Sequence, residues 1–363
     1  MPLASGDFAV SKLHGPLTLC IINYNGADYL MTALEAVAGF TGYFDEVLII
    51  DNASTDNSVE IARGFPFVSV VSLASNGGPG AARNAGFRLA RNDLILFQDN
   101  DVQLNVDAVR NLTQAMSENA NAVIAAPRVL YASAPDTIQY ESADCHFTGM
   151  MSVRFANIAV AEVPASTAST SSLVTACFML HRGRWRGGLP FDERLVFNLE
   201  DHDFGVRANI LGHTVLAVGS AVVSHGGGTA DLSWRPGYRI PDRRMFCLIR
   251  NRWWIMLKYF SGPTLLKLAP VLLVIELLQF AGMIQKGFGR QWIAAFWSTL
   301  ANFPSLLVQR QYWQNHRQKR DQDILKPGPL PLTSAIKTNQ LIADMVGRVE
   351  MLMQWYVSKV YFS

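Results

Sequence analysis

The spacing of apolar positions divides the chain into a front part and a back third of different character. In the front part, short runs rich in apolar and β-branched residues alternate with amphipathic segments. Leu17–Asn23 (LTLCIIN), Glu46–Asp51 (EVLIID), Phe67–Leu73 and Leu94–Gln98 (LILFQ) each predict a buried strand, and Val123–Ala126 predicts a fifth. Helices are predicted from about Asp28 to Phe40, over Ser54–Arg63 and from about Gly80 to Ala90. Strand and helix alternating at this pace predict an α/β fold, a mostly parallel sheet sandwiched by helices. In such sheets the ligand crevice lies beyond the carboxyl ends of the strands. Polar clusters do follow the strands, at Asn23–Asn25, Asp51–Asp56 and Asp99–Asp101.

The signal weakens from Ala132 to Ser172, where the Ser/Thr/Ala-rich Pro164–Ser172 (PASTASTSS) predicts a loop. Regular pattern resumes with a strand over Val174–His181, a helix from about Asp201 to Leu211 and a strand near Val215–Val218. In the back third, Leu265–Met283 is long enough to span a bilayer. Lys267, Pro270, Glu276 and Gln279 interrupt it, which favours a helix lying in the membrane interface, or a hairpin. Ile336–Val360 carries Ile342, Met345, Val346, Val349, Met353, Tyr356 and Val360 on one face of an amphipathic helix. Two bodies are therefore expected, residues 1–234 and a helical region over 235–363.

Charge sharpens that division. Residues 1–234 hold 13 Lys and Arg against 23 Asp and Glu, whereas residues 235–363 hold 18 against 6. A basic, apolar back third fits an anionic lipid surface as readily as nucleic acid; of the two, the membrane is the expected partner, with no nucleic acid. The whole chain is 50% hydrophobic and 17% charged, which excludes a disordered class. The four cysteines form no CxxC pair, so neither a disulfide framework nor a zinc-cysteine site is expected. The start, MPLASGDFAVSKLHG, predicts no signal peptide.

Five constellations carry possible chemistry. Asp99-Asn100-Asp101 ends an apolar strand, where two carboxylates one residue apart can hold Mg²⁺ or Mn²⁺ against a diphosphate; alternatively it is a solvated turn. Asp51-Asn52-Ala53-Ser54-Thr55-Asp56 offers Asp51 as an acceptor for a nucleobase or ribose, with Ser54 or Thr55 as a helix cap. Asn76-Gly77-Gly78-Pro79-Gly80 begins a helix whose N-terminus favours phosphate, but Arg83 stands where a dinucleotide fingerprint needs its third glycine. In Glu200-Asp201-His202-Asp203, the residues Glu200, Asp203 and Arg207 share one helical face and can pair, while Asp201 points elsewhere as an N-cap or a general base. Ser224-His225-Gly226-Gly227-Gly228 offers His225 as a metal ligand; without a GxSxG elbow the glycines do not indicate a hydrolase.

In this order the five motifs resemble glycosyltransferase family 2, the inverting enzymes of the GT-A fold. Asn23-Tyr24-Asn25, the DNASTD, the run from Asn76 to Asn84, the DND and the EDxD all match, from about Leu17 to Gly228. Arg250-Asn251-Arg252 resembles the tail of its membrane-associated bacterial members. The resemblance implies donor-nucleotide contacts from Asn23, Tyr24, Asn25, Asp51, Asn76, Gly77, Arg83 and Asp99. It implies a metal held by Asp101, Asp99 and His225, and Asp201 as base, supported by Glu200, Asp203 and Arg207. The expected reaction moves a sugar from a nucleotide diphosphate donor to a lipid-linked or polysaccharide acceptor. Its expected place is the cytoplasmic face of the plasma membrane, with the protein peripheral or monotopic. A dinucleotide-dependent oxidoreductase would account for the glycine loop alone. A silent membrane-bound binding module would account for the back third alone.

Overall fold

The computed structural model describes residues 15–226, 241–330 and 340–362. The motif glycines Gly227 and Gly228, and the expected boundary near residue 234, lie outside the described residues, as do the side chains of Ile342, Met345 and Val346.

The front region begins β1 Leu17–Asn23, α1 Ala27–Ala38, β2 Glu46–Asp51, α2 Ser58–Arg63, β3 Val68–Ser72, α3 Pro79–Leu89 and β4 Leu94–Asp99. It continues β5 Val102–Gln103, α4 Val106–Glu118, β6 Ala122–Tyr131, β7 Ala134–Tyr140, β8 Ala143–His146, β9 Met151–Val153 and β10 Ile158–Ala159. Then come β11 Thr167–Thr170, β12 Cys177–His181, α5 Glu200–Ile210 and β13 Thr214–His225. Among the described residues the main sheet has eleven strands, with the order β10-β7-β6-β12-β4-β1-β2-β3 and β13 beside β6. β1 runs parallel to both β2 and β4, β3 is parallel to β2 and β13 to β6, while β12 is antiparallel to its neighbours. The mostly parallel sheet is thus as expected.

All seven residues of β1 are buried, because helices cover both faces. The side chains alternate between two cores. Leu19 and Ile21 pack with Leu30, Leu34 and Val37 of α1 and with Val109 and Leu112 of α4. Cys20 and Ile22 pack with Ala82 and Ala85 of α3 and with Phe204 and Ala208 of α5. Each fully buried aliphatic side chain contributes roughly 1.5–3 kcal/mol, so β1 is the rigid centre from which the site loops project.

Two segments differ from expectation. The Ser/Thr-rich piece predicted as a loop contains β11, which pairs antiparallel with β13 over Thr167–Thr170. β-branched threonines and a neighbour with free backbone groups outweigh the loop-like composition. The unpredicted helix α4 starts at Asn105, whose side chain accepts from Ala108 N at 2.8 Å.

The back region is α6 Asp242–Tyr259, α7 Gly262–Gln285, α8 Gly289–Ala301, α9 Phe303–His316, α10 Asp321–Ile324, β14 Leu325–Lys326 and α11 Gln340–Val360. It shares a core with the front: Cys145, Phe147 and Val206 pack with Ile255, Leu268, Ile275 and Val357. β14 also pairs with β8.

Candidate active site

The carboxyl ends of β1, β2 and β4 lie side by side, with Asn23 opposite Asp51 and Ile22 opposite Asp99. Their loops are tied into one polar block. Buried Asn23 donates through Nδ2 to Asp51 Oδ1 (2.9 Å) and Ser58 Oγ (2.8 Å), and its Oδ1 accepts from Asn100 Nδ2 (2.9 Å). Gly26 permits this packing, since a Cβ there would lie 2.0 Å from Asn100 Nδ2. Asn25 takes a left-handed conformation (φ 47°) and its Oδ1 accepts from Thr55 N at 2.8 Å. Asn52 reaches the next loop, donating to Asn76 Oδ1 (2.9 Å) and accepting from Gly77 N (3.2 Å).

Asp51 is buried and accepts from both Asn23 and Ser54 Oγ (2.5 Å). Ser54 and Thr55 therefore serve the loop block rather than the start of α2. There, Asp56 Oδ1 accepts from Ser58 N at 3.1 Å. The half-exposed Tyr24 lies at the rim of this block.

Arg83, on buried α3, links two acids. It donates to Asp99 Oδ1 at 2.6 Å and to Thr175 O at 3.0 Å, and its Nη1 lies 3.7 Å from Glu200 Oε1. The side chain in the third-glycine position thus ties the strand-end acid to α5. Gly78 has its own reason: at φ 87°, a Cβ there would lie 2.0 Å from Val196 O.

Asp101 faces His225. Gly226 N donates to Asp101 O (2.8 Å) and Val102 pairs with His225, which brings Asp101 Oδ1 to 3.2 Å from His225 Nε2. Gln139 Oε1 accepts from His225 Nδ1 at 2.7 Å. With its proton on Nδ1, neutral His225 turns the Nε2 lone pair toward the carboxylate, and the two acceptors attract a cation. A proton supplies it when Asp101 raises the His225 pKa against the lowering effect of burial. A divalent cation fits the same oxygen-plus-imidazole pair, with the Gln139 bond fixing the ring. Among the described residues, no three His, Cys, Asp or Glu side chains converge as a ready metal cage.

At the N-terminus of α5, Asp201 is half-buried and its Oδ1 accepts from His202 N at 2.7 Å. Burial raises the Glu200 and Asp201 pKa values; Asp201 adds to the rise at Glu200, and Arg83 opposes both. Asp201 is raised to about 6. Glu200 Oε2 is buried without a hydrogen-bond partner among the described residues. His202 turns inward to Ser172 Oγ at 2.6 Å, and burial lowers its pKa to about 4. Asp203 also turns inward, against Arg207 Nε (2.8 Å), Lys258 Nζ (2.5 Å) and Tyr259 Oη (2.7 Å). Asp203 and Arg207 therefore pair with each other, while Glu200 pairs with Arg83.

The loop before α5 is strained. Val196, Asn198 and Leu199 all have φ near 60°, and Phe197 N donates back to Leu195 O in a tight turn. Asn251 of α6 holds it: its Nδ2 donates to Leu195 O (3.0 Å), Phe197 O (3.0 Å) and Asn198 O (2.6 Å). The Arg-Asn-Arg run signalled this residue; nothing in the sequence signalled Gln139 or Lys258.

Residues 18–173 match the sequence profile of glycosyl transferase family 2. This chain carries a family 2 glycosyltransferase domain. It is 32% identical over 100 residues to the succinoglycan biosynthesis protein ExoO of Rhizobium meliloti (strain 1021). That stretch covers 27% of this chain and 29% of the relative, so the chain aligns with less than a third of its length. Among solved structures, S. aureus TarS 1–349 in complex with UDP-GlcNAc superposes with a TM-score of 0.52 at 15% identity, covering 96% of this chain and 93% of that one. GalNAc-T7 with UDP, GalNAc and Mn²⁺ also gives 0.52, at 14% identity, covering 68% and 48%. These likenesses show the fold, which is the GT-A fold with a helical C-terminal region.

Proposed function

We propose that the family 2 domain transfers a sugar, with inversion, from a nucleotide diphosphate donor to an acceptor hydroxyl presented at a membrane. The observation that carries this reading is the Arg83 bridge. It brings Asp99, from the donor-side strand end, into one electrostatic unit with Glu200, beside Asp201, although the two segments are about a hundred residues apart. In this reading the loops of Asn23–Asn25, Asp51 and Asn76–Gly77 cradle the nucleoside. Asp101 and His225, with Asp99 beside them, hold Mn²⁺ or Mg²⁺. When bound, the cation neutralises charge developing on the departing diphosphate.

Asp201, ionised above about pH 6, takes the proton from the acceptor hydroxyl as that oxygen attacks the anomeric carbon. The bond to the diphosphate breaks on the opposite face, so a single displacement inverts the centre. Glu200 and Arg83 set the field around the base. The Mn²⁺ and UDP of GalNAc-T7 and the UDP-GlcNAc of TarS support this donor chemistry.

The membrane part of the proposal rests on α7. It is the one described helix long and apolar enough to cross a bilayer, with mean hydropathy 1.8 over its best window and 17% of that window buried. Its buried positions, Thr264, Leu268, Val271 and Ile275, form a single seam. Leu266, Leu273 and Leu277, at 77, 61 and 60% exposure, face outward. So much exposed hydrocarbon suits a lipid surface. We assign the protein to the cytoplasmic face of the plasma membrane, lying in the interface, with a lipid-linked or polysaccharide acceptor.

The test is calorimetric binding of UDP, GDP, dTDP and CMP, with and without Mn²⁺, to wild type and Asp101→Ala. Metal-dependent binding of one nucleotide that disappears in the variant is the expected result. Absence of nucleotide binding under every condition would overturn the reading.

A further inference from the structure

A cavity of about 410 Å³ lies between α9, the end of α6 and the segment leading into α5, within the size range of small-molecule sites. Tyr259 of α6 and Tyr312 and Trp313 of α9 give it aromatic walls, and Asp192, Arg194 and Arg207 supply its charges. These polar groups are locked in place. Arg194 grips Asp192 with both ends of its fork, Nε to Oδ1 at 2.8 Å and Nη2 to Oδ2 at 2.7 Å, and also donates to Gln309 Oε1. Arg207 donates to Leu189 O and Pro190 O, and its Cζ lies 5.5 Å from the centre of the Trp313 ring.

The charges around this cavity do not balance. Asp203 pairs with Arg207 and Lys258, and Asp192 pairs with Arg194 and Lys258. Arg250 stands behind Arg194, donating to its carbonyl oxygen and to Asn251 Oδ1, and forms no ion pair among the described residues. Four cations therefore share two carboxylates. Arg207, Arg250 and Lys258 are buried, and buried positive charge in excess is costly unless an anion offsets it. Asp192 senses that excess: burial would raise its pKa, yet Lys258 and Arg194 hold it below the usual carboxylate range. An anion can enter beside Arg194, whose side chain is 48% exposed.

We infer that this cavity binds a sugar carrying one oxyanion, a phosphate or a carboxylate. The oxyanion answers the excess charge at Arg194 and Arg207, and the C–H face of the sugar ring packs on the aromatic walls. Asp192 and Gln309 offer acceptors to its hydroxyls, and a carboxylate in the wall disfavours a bare phosphate. None of the lining residues belongs to the loops after β1, β2 or β4. Occupancy of the cavity therefore does not depend on the transferase reading. An anionic lipid headgroup is the rival occupant, and the hydroxyl acceptors and aromatic walls favour the sugar.

Calorimetry on the full chain tests this with glucose 6-phosphate, glucuronate, glucose and inorganic phosphate as probes, each with and without UDP and Mn²⁺. Glucose 6-phosphate or glucuronate is expected to bind at least about tenfold more tightly than glucose or inorganic phosphate, and UDP is expected not to displace it. The tighter of the two distinguishes a soluble sugar phosphate from an acidic residue of a glycan as the source. Val308→Trp, which narrows the mouth from a position 70% exposed, is expected to weaken binding at least about tenfold. Arg194→Gln is expected to do the same, while Arg88→Gln, an exposed arginine outside the cavity, leaves binding unchanged. Binding that survives Val308→Trp, that UDP displaces, or that glucose or phosphate matches would overturn the assignment, as would no binding of either anionic sugar. Displacement by phosphatidylglycerol vesicles and not by phosphatidylcholine vesicles would give the site to a lipid headgroup instead. Failure of UDP to bind the wild type would count against the transferase reading and leave the result for this cavity standing.

Discussion

The strand-end crevice and the outer helices treat water in opposite ways. In the crevice, buried polar groups pair with one another. Asn23, Asp51, Arg83 and Asn251 all lie out of solvent and each makes at least one such bond, while Glu200 Oε2 has no hydrogen-bond partner among the described residues. On α7 and α8, leucines, phenylalanine and tryptophan are exposed. Burying polar groups is costly unless each is paired, and exposing large apolar faces is costly in water. Both arrangements make sense if the first is built to hold a charged ligand in a preorganised field and the second meets lipid. α6 touches both, through Asn251 at one surface and Trp253 at the other.

The largest expected effect comes from breaking the crevice at its reactive group. Asp201→Asn keeps the shape and removes the base, so transfer is expected to fall about 10²–10⁴-fold while donor binding persists. Rates with a matched acceptor, set beside calorimetry on the same variant, check this; retention of most activity would remove Asp201 from the role. The buried charge cluster behind it is next. Lys258→Met leaves Asp203 without its ammonium partner in a fully buried position. The expected loss is about 3–5 kcal/mol of unfolding free energy in urea titration. Adding Asp203→Asn to it is expected to lower stability further, because buried Arg207 then loses its carboxylate partner.

Asn251→Ala tests whether the helical region reaches the chemistry. Three carbonyls of the left-handed loop lose their donor, and a small displacement of a catalytic group costs up to about a hundredfold. Turnover is expected to drop about ten- to a hundredfold with the donor KM unchanged. Asn251→Asp is expected to behave alike, since a carboxylate cannot donate. A change confined to thermal stability would make Asn251 a packing residue only.

How much of this could be read from the sequence depended on distance along the chain. Asn23, Asp51 and Asp99 were legible because each ends a short apolar run, and such runs place their last residue at a strand tip. Gln139 was not, because it lies where the pattern fades, and only the pairing of β6, β7 and β13 carries it to His225. β6 itself was underestimated. Pro127 and the buried Arg128 interrupt its apolar pattern, and Arg128 is tolerated because Glu141 answers it at 2.6 Å. In the sequence Lys258 only interrupts an apolar stretch. In the fold it is a fully buried counter-ion to two acids, Asp192 and Asp203. Periodicity reports which face is apolar; it carries no information about which distant acid a buried cation will meet.

A pH profile would sharpen the crevice side with a smaller effect. Burial raises the Asp201 pKa, so its base form is lost as pH falls through about 6. The turnover rate is expected to decline about tenfold per pH unit below that point. In Asp201→Asn this limb should vanish from whatever activity remains.

The smallest expected effect belongs to the outer helices. Lys286, just after α7, and Arg290, in the first turn of α8, are exposed next to the apolar face. Near an anionic bilayer each contributes about 1 kcal/mol, so removing either should weaken flotation with anionic vesicles about fivefold. Raising salt should erase that difference, since the attraction is screened within a Debye length. Leu277→Glu should weaken binding to neutral and anionic vesicles alike, because it removes buried hydrocarbon rather than charge. If the charge variants and Leu277→Glu gave the same salt response, the outer helices would be held by electrostatics alone. The exposed leucines would then need a protein partner to cover them.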